Sequence, residues 1–183
     1  MRTLRKIFLA FALVLFFCNP TNAGYKKAPE WLISEWINGE GVTLSNLKGQ
    51  VVIVEFFQLW CPGCNKFSIP LMNQWATTYK KDIESGKLAM LSIHTVFEGH
   101  LFQSPKRLKS FVKEKEIHHL VGIDLHRDGE RLPETMKRYR TRGTPEMAII
   151  DKNGYLRFQR FGGFNPGMAE HLIEKLISEP LYQ

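Results

Sequence analysis

Chemistry in this 183-residue chain gathers at Cys61 and Cys64, spaced C-x-x-C within Trp60-Cys61-Pro62-Gly63-Cys64. A thiolate is the attacking species in disulfide exchange, and a second thiol close by can resolve the mixed disulfide so formed. A bridge between these two cysteines closes a four-residue ring. Such a ring removes little chain entropy, so redox chemistry is a better reason for it than stability. Two thiols at this spacing also make half of a zinc site. A closed site needs two more ligands, and the six histidines show no i, i+4 pair.

The segments around the pair predict how it is held. Residues 51–57 form a β-branched and aromatic run broken only by Glu55, the pattern of a central strand buried on both faces. Pro62 then suits a first helical turn, where its missing N–H costs nothing. Phe67, Leu71, Met72, Trp75 and Tyr79 follow at helical spacing around Pro70, which predicts a kinked helix over residues 62–80. Cys61 thus stands at a helix N-terminus. Free N–H groups and the positive end of the helix dipole favour a thiolate there. Cys61 is expected to attack a partner disulfide and Cys64, one turn inside, to resolve the product.

Upstream, residues 28–44 read as an N-terminal hairpin or pair of edge strands turning at Asn38-Gly39. Downstream, strands are expected at 88–95, 120–124, 147–151 and 156–161, and helices near 105–116, 132–139 and 167–179. Lys152-Asn153-Gly154 marks a hairpin turn. This alternation predicts an α/β domain with a mixed, mostly parallel central sheet flanked by helices.

Residues 1–23 have a different composition. Arg2, Arg5 and Lys6 precede eleven uncharged apolar residues, 7–17, and Thr21-Asn22-Ala23 ends on a small residue. That order predicts a secretory signal cleaved after Ala23, leaving residues 24–183 as the domain. An uncleaved anchor is the alternative, although the run is about half of the ~20 residues a spanning helix needs. Lipidation at Cys18 fits poorly, since the bulky Phe17 precedes it. The whole chain has 25 basic and 18 acidic residues, +7. Removing the three basic leader residues leaves 22 against 18, or +4, spread along the sequence. No basic patch argues for nucleic acid.

The stretch from Val52 to Cys64 resembles the active-site strand and helix start of the thioredoxin superfamily. Thr144-Pro145, ahead of the strand at 147–151, resembles its cis-proline loop. With Ala28-Pro29-Glu30-Trp31, the inserted helix near 105–116 and Ile150-Asp151-Lys152-Asn153-Gly154, residues 28–178 resemble the exported TlpA-like disulfide reductases. The resemblance implies a thioredoxin-like fold with a strand-pair extension and an inserted helix. It implies a cis Pro145 beside the cysteines and Thr144 offering its backbone to an extended substrate. Trp60 is expected to shield the site and touch partners.

Glu55, six positions before Cys61, occupies the place of thioredoxin's buried acid, whereas many TlpA-like proteins are neutral there. Burial should raise its pKa and fit it to exchange a proton with Cys64; the alternatives are a side chain in solvent or paired with Lys66. His94, His100, His118, His119 and His126 are expected to be structural or solvated.

The resemblance favours a protein-disulfide reductase, with client proteins carrying thiols or disulfides, a membrane redox partner and no cofactor beyond the Cys61–Cys64 couple. An oxidase or isomerase shares the chemistry. A copper(I) carrier is a further alternative, since thiolates suit that soft ion, but related redoxin-fold copper proteins have a wider cysteine spacing and a later histidine. Gln58 stands where peroxiredoxins place a threonine, which argues against a peroxidase.

Overall fold

The computed structural model describes residues 24–181, so the leader read over residues 1–23 lies outside the described residues. Six strands, β1 (Ile33–Ile37), β2 (Val51–Phe57), β3 (Leu88–His94), β4 (Leu120–Asp124), β5 (Glu146–Ile150) and β6 (Leu156–Phe161), form one sheet in the order β1-β4-β3-β2-β5-β6. Helices α1 (Ile69–Thr78), α2 (Lys80–Glu84), α3 (Pro105–Glu114), α4 (Glu134–Tyr139) and α5 (Pro166–Ser178) fill the connections and end the domain. The parallel core β4-β3-β2 continues antiparallel into β5 and β6, and β1 joins the opposite edge antiparallel to β4.

β2 is buried along its whole length, and its side chains divide by the two-residue period of a strand. Val51 and Ile53 pack with Met72 and Trp75 of α1 and Ile173 and Leu176 of α5. Val52, Val54 and Phe56 face Trp31 and Tyr139 on the other side. Glu55 therefore shares the α1 face with Val51, Ile53 and Phe57. Phe57 passes into a third cluster with Cys61, Cys64, Ile69 and, from α3, Leu108 and Val112. The inserted helix thus buttresses the cysteines. Ser104 caps it by accepting from Arg107 N–H.

The expected N-terminal hairpin is not formed. β1 pairs with β4, while Lys27 makes an isolated bridge to Tyr155 near the far edge. Of the two expected extended halves, the first supplies β1, an edge strand as the alternative reading had it, and residues 39–44 form no strand. At the expected turn, Asn38 adopts a left-handed backbone and donates from Nδ2 to the carbonyls of Ile117 and His119, tying the end of β1 to the segment that leads into β4. Residues 45–47 form a 3₁₀ turn whose entry is held by the Glu30 carboxylate, which accepts from the N–H groups of Leu44 and Ser45.

The kink expected at Pro70 takes a definite form. Cys64–Ser68 is a π-helical turn, closed by Ile69 N–H to the Cys64 carbonyl, and α1 continues from it. A proline in a helix lacks an N–H and crowds the preceding carbonyls, and a wider turn relieves both.

Candidate active site

Cys61 and Cys64 are joined as a disulfide with Cα atoms 5.2 Å apart. Cys61 is 7% exposed and Cys64 fully buried, so only the first can meet a partner thiol or disulfide. The N–H of Cys64 donates to Cys61 Sγ at 3.1 Å. Asn65 fixes the turn, its side-chain amide donating to the carbonyls of Leu59 and Cys61. A negative charge on Cys61 therefore meets a backbone donor already in place.

Thr144-Pro145 is a cis peptide bond, as the resemblance implied. Pro145 packs directly on Gly63, where an added Cβ would lie 2.9 Å from the proline Cδ. The proline thus sets how close the loop comes to the C-x-x-C turn. A cleft of about 500 Å³ opens here, lined by Gln58, Trp60, Cys61, Pro62, Phe97, Glu98, Arg142, Gly143, Thr144 and Phe161.

Trp60 is 46% exposed. Its Nε1–H donates to Gln58 Oε1 at 3.1 Å, and its ring lies over Gly99 and beside Phe102. Gly99 has positive φ, and any side chain there would collide with the indole. Gln103 supports the same wall: its Oε1 accepts from Leu59 N–H and its Nε2 donates to the Glu98 carbonyl. Gln103, Phe97, Phe102, Arg142 and Phe161, and the hold of Gln58 on the indole, are not apparent from sequence. Most of these residues sit in loops whose approach to the cysteines depends on tertiary folding.

Glu55 is wholly buried, neither in solvent nor paired with Lys66. Ser68 Oγ donates to its Oε1, and Ser92 Oγ donates to its Oε2 at 2.6 Å. Desolvation pushes its pKa up to about 7, the two hydroxyl bonds opposing the rise. Ser68 lies one helical turn beyond Cys64, which puts Glu55 under the turn that carries Cys64. Both serines escaped sequence reading. Ser92 carried a signal, since it is the one hydroxyl among the apolar residues of β3 and lies in register with Glu55 across β2 and β3.

His94 is structural, as expected: buried against Phe57, 3.3 Å from Gln103, and lowered by desolvation to about 4, so neutral at physiological pH. His100 and His126 lie together near the surface. His119 fits the structural expectation, with its Nε2 2.8 Å from Ser92 Oγ. Among the described residues, no three His, Cys, Asp or Glu side chains cluster as metal ligands.

A C-x-x-C disulfide on the first turn of a helix, a cis proline against it and a thioredoxin-like sheet beneath define a thiol–disulfide oxidoreductase of the thioredoxin superfamily. The chain belongs to the AhpC/TSA family, which it matches over residues 25–159. It is 39% identical to the crystal structure of the thioredoxin-like superfamily protein SPOA0173, with a TM-score of 0.79 over 85% of this chain and 99% of that one. A thiol-disulfide isomerase from Corynebacterium glutamicum is 35% identical, with a TM-score of 0.75 over 84% and 98% of the two chains. The thiol-disulfide oxidoreductase ResA of Bacillus anthracis is 26% identical over 152 residues, 82% of this chain and 77% of ResA. Protein DipZ of Mycobacterium tuberculosis is 27% identical over 150 residues, but this chain spans only 20% of its length.

Proposed function

We propose that this oxidoreductase is an exported reductase of protein disulfides. Cys61 attacks a client disulfide, forming the mixed disulfide and releasing one client sulfur as a thiol. Cys64 then attacks Cys61 Sγ; the Cys61–Cys64 bond forms, the mixed disulfide breaks, and the second client sulfur leaves reduced. Glu55 takes the proton that Cys64 must lose, and its pKa of about 7 lets it both accept and return one near neutrality. The observation that carries this division of labour is the burial of Cys64 behind a Cys61 that faces the cleft.

An extended client segment lies in that cleft against the backbone of Thr144, with Pro145 limiting its approach and Trp60 covering one side. Export rests on the basic, apolar and small-residue order of residues 1–23, with the Cys61–Cys64 couple recharged by a redox partner at the membrane. No helix among the described residues is long and apolar enough to cross a membrane. The direction of electron flow is tested by equilibrating the couple against glutathione or dithiothreitol. A potential below about −220 mV supports a reductase, and one above about −150 mV reverses the direction to oxidase.

A further inference from the structure

If Glu55 takes a proton from Cys64 in each turnover, as proposed above, it must also release that proton, and Glu55 has no contact with water. The cleft is covered whenever a client is docked over Cys61. The geometry points to a relay, Glu55–Ser92–His119, that exchanges the Glu55 proton with solvent through the loop between α3 and β4, independently of the client cleft.

The links are short and continuous: Ser92 Oγ to Glu55 Oε2 at 2.6 Å and Ser92 Oγ to His119 Nε2 at 2.8 Å. Their chemistry fixes the direction of each hydrogen. A serine hydroxyl has one hydrogen, and an ionised carboxylate only accepts. With Glu55 ionised, Ser92 donates to it and accepts from His119 Nε2–H. Nδ1 of the same ring is then a bare lone pair, and it has no hydrogen-bond partner among the described residues.

Inward transfer follows from that arrangement. A proton binds Nδ1, the Nε2 proton moves to Ser92 Oγ, and the Ser92 proton moves to Glu55 Oε2. Outward transfer is the reverse; in either direction His119 and Ser92 each gain and lose one proton, Glu55 gains or loses one, and no electrons move. Nδ1 is itself buried, but residue 119 is partly exposed beside the exposed His118, so exchange with solvent needs the ring to rock outward in this loop. His119 is not among the residues lining the client cleft.

Electrostatics keeps the path clear. Desolvation, helped by His118, lowers His119 to about 4, so a proton does not rest on the ring at neutral pH. Among the described residues, His118 is the one charged or titratable group that perturbs it, and Glu55 is shifted only by burial and its two serines. The main-chain carbonyl of His119 is held by Asn38 Nδ2 from the end of β1, which fixes the residue's place beside β3.

The test separates the relay from the role of Glu55. A pH jump from about 6 to about 8, spanning the Glu55 value of about 7, is followed through the infrared carboxylic-acid band lost in Glu55→Gln. His119→Gln keeps a donor to Ser92 but cannot pass a proton through the ring. It is expected to slow loss of the band at least about tenfold, while single-turnover resolution by Cys64, which needs only ionised Glu55, stays at the wild-type rate. Imidazole is expected to restore the jump response in His119→Ala. Unchanged band kinetics in His119→Gln overturn the relay, and so does an equal slowing of single-turnover resolution, which marks a structural role. If Glu55→Gln resolves as fast as wild type, the acid–base role of Glu55 fails, which is a separate result.

Discussion

Two of the buried carboxylates in the sheet have contrasting surroundings. Asp124, at the end of β4, accepts from the peptide N–H groups of Thr135 and Met136 and from the Thr95 hydroxyl. Glu55, in β2, accepts, among the described residues, only from the hydroxyls of Ser68 and Ser92. Desolvation raises both pKa values. A peptide N–H can only donate, so a proton on Asp124 weakens the two bonds by which its carboxylate holds the start of α4, even where the Thr95 hydroxyl turns to accept it. A hydroxyl can reverse, so Glu55 gains or loses a proton with its partners kept. The kind of donor around a buried acid, more than its burial, separates a fixed strut from an exchangeable one.

The largest effect that would break this contrast is on stability. Asp124→Ala strands two buried N–H groups and is expected to cost about 3–5 kcal/mol, whereas Glu55→Gln is tolerated in urea denaturation. A mild Asp124→Ala would remove the distinction. Next comes the pH dependence. The folded-state value of Glu55, about 7, lies above its ordinary 4.5. Its contribution is thus full below about 4.5, declines as the unfolded chain ionises first, and is lost above about 7. The wild-type oxidised protein should lose about 3 kcal/mol through this group between about pH 4 and pH 8. Glu55→Gln should lack that loss and be the more stable at the upper end.

A smaller effect is expected at the cysteine turn. Gly63→Ala pushes a methyl against Pro145 and should cost about 1–3 kcal/mol while slowing client exchange. Smallest in stability is Trp60→Ala, within about 0.5 kcal/mol because the indole is half exposed. It should still raise KM for a protein disulfide while leaving the exchange rate with dithiothreitol nearly unchanged.

The sequence made β2 and the helix start legible, because each depends on local pattern, an apolar run and Pro62 after Cys61. The cis-proline loop at Thr144-Pro145 came from the family resemblance, since a Thr-Pro before a strand does not by itself distinguish cis from trans. The sequence placed an edge strand in the N-terminal segment but left a hairpin open that is not formed, because Asn38-Gly39 looks the same in a hairpin and in a turn tied to a neighbouring strand. It also found Glu55 without its partners. Ser92 and His119 lie 37 and 64 positions away, and only the register of β2 on β3 and of β3 on β4 brings them together. The exposed Trp60 beside the cysteines was legible, while the Gly99 and Gln58 that hold it were not.

The most direct test of the account is trapping. Cys64→Ala leaves Cys61 able to attack but unable to be resolved, so after incubation with a disulfide-bonded protein it should be recovered as a mixed disulfide through Cys61 that dithiothreitol releases. Cys61→Ala should trap nothing. Equal trapping by the two variants, or trapping through Cys64 alone, would contradict the assignment of Cys61 as the nucleophile and Cys64 as the buried resolving thiol.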